Sequence, residues 1–331
     1  MNQDRNDPTT PALDDERATA LAAELITALD RVVIGQRAVV EQVVAALIAG
    51  GHALIEGVPG LGKTLLAQSL AACIAGKFSR IQFTPDLMPA DITGHAIYDL
   101  KSERFRLRRG PVFCNILLAD EINRAPAKTQ AALLEVMQER QVTIEGKALK
   151  VNDPFMVLAT QNPIEHEGTY LLPEAQLDRF LMKILIDYPD AESERQLALN
   201  VAGIRDDLVT LAQTLEPLLD TATALALRAH ARRVHIDTAL ADYAVAIVRA
   251  SRQWPGIYIG AGPRASIALL RAGQAAAVIA GRDFVVPDDI KRFAAPVMRH
   301  RILLSAELQM EGQTPDQVLE RLVEDQKAPR Q

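Results

Sequence analysis

Apolar residues recur at helical spacing from Ala18 to Leu29, and again from Ala38 to Ala49. Beyond Gly50 the period changes. Short continuous apolar runs appear at His52–Glu56, Ser79–Phe83, Asn115–Ala119, Phe155–Ala159 and Phe180–Ile186. Helical stretches alternate with them, Lys63–Gly76 after the first run and Ala127–Arg140 after the third. Continuous apolar strands separated by helices predict a parallel sheet covered on both faces. Two segments break this rhythm and predict hairpins. In residues 94–110, Arg104, Arg106 and Arg108 alternate with Phe105 and Leu107; in 141–151, a Glu-Gly turn separates two alternating strands. After Asp190 the strand signals stop. Helical stretches follow at Glu192–Val201, Leu211–Leu219, Thr223–Arg233, Ala239–Arg252, Pro263–Ala280 and Pro287–Arg299, two of them with proline in the first turn. The pattern divides the chain into an acidic tail over residues 1–17, expected to be disordered, an α/β domain over 18–188 and an all-α domain over 189–331.

Composition narrows the class. The 331 residues are 49% hydrophobic but only 4% aromatic, so the cores are expected to be aliphatic. Thirty-six basic against 42 acidic residues give a net charge of −6, which argues against a nucleic-acid-coating protein. Cys73 and Cys114 stand in apolar surroundings and read as buried thiols. The N-terminal segment has no apolar core of a secretory signal, and the most apolar stretch, Ser266–Gly281, is broken by Arg271 and Gln274. No membrane span and a cytoplasmic location are therefore expected. The six histidines show no metal-ligand spacing, and Leu133 and Met137 share one helix face as core residues.

The chemistry begins at Gly57-Val58-Pro59-Gly60-Leu61-Gly62-Lys63-Thr64, which fits G-x-x-x-x-G-K-[ST] between a strand and a helix that continues with Leu65. Backbone N–H groups of such a loop wrap phosphates at a helix N-terminus; Lys63 would reach the β- and γ-phosphates and the Thr64 hydroxyl would coordinate Mg²⁺. A second strand ends in Asp120-Glu121. Beside a phosphate loop, Asp120 is a candidate Mg²⁺ partner and Glu121 a candidate base for water. Asn162, just past another apolar strand, is placed either to orient the attacking water or simply to form an Asn-Pro turn.

Together these residues resemble the AAA+ ATPases, and within them the MoxR branch. The resemblance rests on Val32–Gln36 (VVIGQ), Gly57–Thr64, Leu118–Gly146, Leu158–Phe180 and Gly262–Gln274. It implies a five-stranded parallel core with a helical lid, and ATP between lid and core and against the next subunit. It implies that Ile34 and Gly35 lie against adenine and that Asn162 is a polar sensor between Asp120 and the γ-phosphate. Arg179 would be an arginine finger acting on the neighbouring subunit's nucleotide, and Arg264 a second sensor reaching the phosphates from the lid. It also implies a homo-oligomeric ring, commonly a hexamer, a protein client and a partner carrying a von Willebrand factor A domain. The Arg104–Arg108 hairpin would face the ring's channel.

Several of these residues also have ordinary structural readings. Arg179 could be a surface ion-pair residue. Arg264 sits in the first turn of a helix, where a cation is disfavoured unless something negative lies near. The strand with Arg104, Arg106 and Arg108 on one face could line a pore and grip an acidic substrate, or equally be a solvated edge that discourages aggregation. A magnesium-chelatase-type subunit, a nucleic-acid motor and a non-hydrolysing nucleotide switch are the rival functions. The acidic balance weighs against the motor, and the coexistence of Glu121 and Arg179 against the switch.

Overall fold

In a computed structural model of the chain, residues 13–101, 103–163, 169–201 and 215–329 are described. His166 and the start of the helix predicted over 211–219 lie outside them. Two helices, α1 (Asp15–Asp30) and α2 (Arg37–Ile48), precede β1 (Ala53–Glu56) and α3 (Lys63–Ala72). α1 opens three residues ahead of its apolar pattern because the Asp14 carboxylate accepts the Arg17 N–H at 2.8 Å. Next come β2 (Ile74–Ala75), β3 (Phe78–Gln82), α4 (Pro89–Thr93), and the hairpin β4 (Gly94–Asp99) and β5 (Arg104–Arg109). The core is completed by β6 (Ile116–Asp120), α5 (Ala127–Glu139), the hairpin β7 (Gln141–Ile144) and β8 (Lys147–Lys150), β9 (Met156–Gln161), α6 (Glu174–Leu177) and β10 (Met182–Leu185).

β10, β1, β9, β6 and β3 form one parallel sheet in that order. Side-chain alternation sends its two faces into different cores. Ala53, Ile55, Ile116, Leu118, Met156 and Leu158 join α1–α3 and the C-terminal helices. Leu54, Leu117, Ala119, Val157 and Ala159 face α4, α5 and the β7–β8 hairpin. Burial on both faces is why these strands read as unbroken apolar runs.

The C-terminal part is helical: α7 (Ala191–Val201), α8 (Thr221–Ala231), α9 (Thr238–Ala250), α10 (Pro263–Ile279), α11 (Pro287–Met298), α12 (Ala306–Met310) and α13 (Pro315–Asp325). Short strands accompany them. β11 (Leu219–Asp220) pairs with β2, and β12 (Ile257–Ile259) pairs with β13 (Leu303–Leu304). Such two-residue pairs are too short to show a period in sequence. The alanines of α10 let it pack closely in the lid, where Ala265, Ala268, Ala272 and Ala276 are buried. α11 is capped by Asp289, which accepts the Val286 N–H at 2.9 Å and both guanidinium nitrogens of Arg282 at 2.7 and 2.8 Å.

Both thiols are buried and free, and burial pushes each up to about 11. Leu133 and Met137 lie in the core. His52 precedes β1 as a buried neutral pin. Its Nδ1 accepts the Val157 N–H at 2.9 Å, and its Nε2 lies 3.3 Å from the Met137 carbonyl. Burial, reinforced by Arg140, lowers it to about 3. Burial likewise holds His300 well below its ordinary value. The unfolded chain therefore takes up protons below about pH 6.5 that the folded chain refuses. Stability is full above that pH and falls as the pH drops. Between pH 7.5 and 5 we expect a loss of up to about 2 kcal/mol from His52, with His300 adding to it in the same direction. Urea unfolding at both pH values measures it, and a flat profile would refute the assignment.

Candidate functional site

The loop Gly57–Gly62 leaves β1 and enters α3. A Cβ at Gly57 would collide with Ile186, so only glycine lets the loop leave the sheet here. Gly60 and Gly62 adopt φ of +88° and +76°, and a Cβ at either would meet nothing within 4 Å. The left-handed turns thus line an open concavity at the helix N-terminus, which fits an anion. The Lys63 ammonium folds over this loop and donates to the carbonyls of Gly57 and Val58. Thr64 and Leu65 continue the first turn of α3, half-buried. Ile34 and Gly35 lie in the turn before α2, where the Gln36 amide donates to the Asp187 carbonyl at 2.7 Å.

Strand order decides what surrounds the loop. β9 lies between β1 and β6. Asn162 therefore emerges between the phosphate loop and the Asp120-Glu121 pair, neighbouring strands being about 4.8 Å apart. Asn162 is 5% exposed, and its carbonyl accepts from the Asn123 amide at 3.5 Å. The Thr160 hydroxyl donates to Asp120 Oδ1 at 2.5 Å and accepts the Glu121 N–H at 2.9 Å. Asp120 Oδ2 accepts from Arg80 at 2.7 Å. Glu121, at φ +54°, breaks sharply from β6 into a single 3-10 turn, Ile122–Arg124. Its Oε2 accepts from Gln82 at 2.8 Å and from Arg124 at 3.1 Å. A carboxylate whose present partners are one hydroxyl and one half-exposed guanidinium suits exchange for a hard divalent cation, so Asp120 fits Mg²⁺. Arg80, Gln82 and Thr160 escaped the sequence reading. Their only sequence signal is strand alternation, which places residues 80 and 82 on one face without saying which strand they face.

Arg179 and Arg264 come together, and neither comes to this phosphate loop. Both line a cleft of about 350 Å³ with His52, Arg140, Arg271 and Arg301. His52 and Gly57 stand at opposite ends of β1, about 16 Å apart at strand rise. A reach of Arg264 from the lid to the same chain's phosphates is not made in this arrangement. The Arg179 guanidinium donates to the Leu134 carbonyl at 2.7 Å. Arg264, at the N-terminus of α10, finds its negative neighbour in Asp178 at 3.7 Å. Asp178 also holds Arg301, whose Nε donates to Oδ1 at 2.8 Å while its other nitrogens reach the carbonyls of Phe180 at 2.6 Å and Leu181 at 3.1 Å. Burial lowers the Arg301 pKa, and the Asp178 carboxylate opposes that shift.

The pattern described as "ATPase family associated with various cellular activities (AAA)" matches residues 52–182, and an AAA lid domain matches 249–322. YeaC of Bacillus subtilis is 43% identical over 93% of this chain and 95% of its own. The chaperone MoxR1 of Mycobacterium tuberculosis is 44% identical over 93% of this chain and 84% of its own. The solved structure of a protein described as an ATPase from Cytophaga hutchinsonii superposes with a TM-score of 0.87 at 40% identity, covering 96% of this chain and 97% of that one.

The two lid arginines on Asp178 should differ sharply in weight. Arg301→Ala leaves a carboxylate and several carbonyls unpaired at a site where the arginine side chain is 4% exposed, and should cost about 3–5 kcal/mol. Arg264, 56% exposed, should cost less than about 1 kcal/mol on the same change. Urea midpoints of the two variants make the comparison, and equal losses would refute it.

Proposed function

The chain belongs to the MoxR family of AAA+ ATPases, and we propose that it hydrolyses ATP in a homo-oligomeric, hexameric ring to remodel client protein complexes or help assemble and activate them. The observation that carries this reading is the convergence of three strand ends: the phosphate loop after β1, Asn162 after β9 and Asp120-Glu121 after β6. Ligands of open α/β sheets bind outside the carboxyl ends of the strands. Backbone N–H groups of Val58 and of Gly60 to Leu65, with the Lys63 ammonium, hold the phosphates, Pro59 having no N–H to give, and Ile34 and Gly35 lie against the adenine. Thr64 and Asp120 hold Mg²⁺, which when bound neutralises charge on the β- and γ-phosphate oxygens. Glu121 accepts a proton from the attacking water, and Asn162 orients that water.

Arg179 and Arg264 serve a neighbour's nucleotide in this reading. Their shared cleft at the far end of β1 supports it, because five arginines line it against the one carboxylate of Asp178, which Arg301 already holds. A von Willebrand factor A domain protein is the partner we expect, alongside a protein client. Work of this kind belongs in the cytoplasm, where ATP is supplied. Among the described residues no helix is long and apolar enough to cross a membrane. A net charge of −6 speaks for protein rather than nucleic acid as the client.

Three variants test the roles. Lys63→Ala should lose ATP binding in calorimetry, since the loop loses its positive side chain. Glu121→Gln should bind ATP yet release phosphate about 10²-fold more slowly or worse; turnover near wild type would make Glu121 a structural acid. Arg179→Ala should bind ATP normally and hydrolyse it about 10³-fold more slowly or worse. Mixing Lys63→Ala with Arg179→Ala, with subunit exchange followed by native mass spectrometry, should restore phosphate release at interfaces that pair an intact Lys63 with a neighbour's Arg179. A mixture that exchanges but stays inactive, although rings of wild type and Arg179→Ala are active, would overturn the action across subunits.

A further inference from the structure

A second basic cavity, of about 510 Å³, lies where the β4–β5 hairpin leaves the core, with Lys77, Arg80, Asp91, His95, Arg108 and Arg109 in its wall. Its acid, Asp91, is already used in capping α4, accepting the Met88 N–H at 2.9 Å. Arg80 belongs to two places at once. It is 47% exposed and lines this cavity, yet it donates at 2.7 Å to Asp120, the carboxylate assigned to Mg²⁺. The hairpin extends the cavity into a strip. Cross-strand pairing puts His95 with Arg108, Ile97 with Arg106 and Asp99 with Arg104 on one face. Arg106 has the Asp99 carboxylate at 2.8 Å, and every residue of β5 is exposed. Alternate residues of the strand stand about 6.8 Å apart, the repeat at which an extended peptide presents side chains on one side.

We propose that this arginine strip and the cavity at its base bind an extended acidic polypeptide, and that the carboxylate seated deepest draws Arg80 away from Asp120, opening Asp120 to Mg²⁺. The strip reaches well beyond the cavity, so a single small anion seated there does not touch Arg104 or Arg106, neither of which lines it. A nucleic-acid strand fits less well. Tyr98 and Phe105, 5.2 Å apart in a T-shaped pair, lie on the opposite face, so the strip offers no platform for base stacking. The coupling rests on the ATPase reading of Asp120; the peptide site stands without it.

The test uses the full chain with a labelled twelve-residue Glu-Thr repeat peptide, against a Lys-Thr repeat, a dT oligonucleotide and pyrophosphate. Anisotropy should show binding of the Glu-Thr peptide that weakens with salt and falls at least tenfold when Arg104, Arg106 and Arg108 are all replaced by Ser. Mn²⁺ affinity, read by electron paramagnetic resonance with a non-hydrolysable ATP analogue present, should tighten up to about fivefold when the peptide binds, as release of a half-exposed ion pair allows. In Arg80→Gln the Mn²⁺ affinity should start at the tightened value and ignore the peptide, while the peptide still binds. Failure of the Glu-Thr peptide to bind, or equal effects from pyrophosphate or the oligonucleotide, would overturn the site. Peptide binding that leaves wild-type Mn²⁺ affinity unmoved would overturn the coupling alone. Absence of Mn²⁺ binding in every sample would overturn the metal reading beneath it.

Discussion

A guanidinium sealed between two domains fixes the rest of this molecule. Arg301 leaves the lid just before β13 and is almost wholly buried against the segment that leads into β10. Taking that charge out of water is costly unless fixed acceptors surround it. Asp178 and the carbonyls of Phe180, Leu181 and Val297 supply them. One orientation of lid on core satisfies all of these acceptors together. Arg179 follows Asp178 directly in the chain, and Arg264 leans on the same carboxylate. The clamp that orders the lid thereby also sets the two arginines on one cleft.

That cleft and the phosphate loop occupy opposite ends of the sheet, and β1 is the rigid spacer between them. His52 secures the lower end by bridging β9 and α5 as a neutral ring, with Arg140 beside it. A cation-rich wall thus stands at one end of β1 and a concave cradle suited to an anion at the other.

Around Asp120 and Glu121 the edge strand has a second duty. β3 contributes Arg80 to one carboxylate and Gln82 to the other, so both acids of the site rest on the strand beside the arginine hairpin. Thr160 joins them from the other flank, holding the Asp120 carboxylate and the Glu121 amide with one hydroxyl. The acidic pair is thus gripped from both neighbouring strands, and a change at the outer strand is felt at Asp120 within one side chain's length.

The phosphate loop, the acidic pair, the five apolar strands and both hairpins were legible in the sequence because each is written within one contiguous segment. Periodicity reports burial on one or two faces, and Gly57–Thr64 carries its own geometry in its glycines. The family resemblance brought in Arg179 and Arg264 but not the relation between them. What only the tertiary structure decided is which segments meet. The order β10-β1-β9-β6-β3 inserts Asn162 and Thr160 between loop and acids. Docking of the lid gives Arg264 the partner Asp178, and the edge position of β3 delivers Arg80 to Asp120. These contacts join residues 40 to more than 80 positions apart in the chain. Local pattern says that a strand is buried or a cation lies on a helix end, but the identity of its neighbour depends on how all the apolar faces are buried at once.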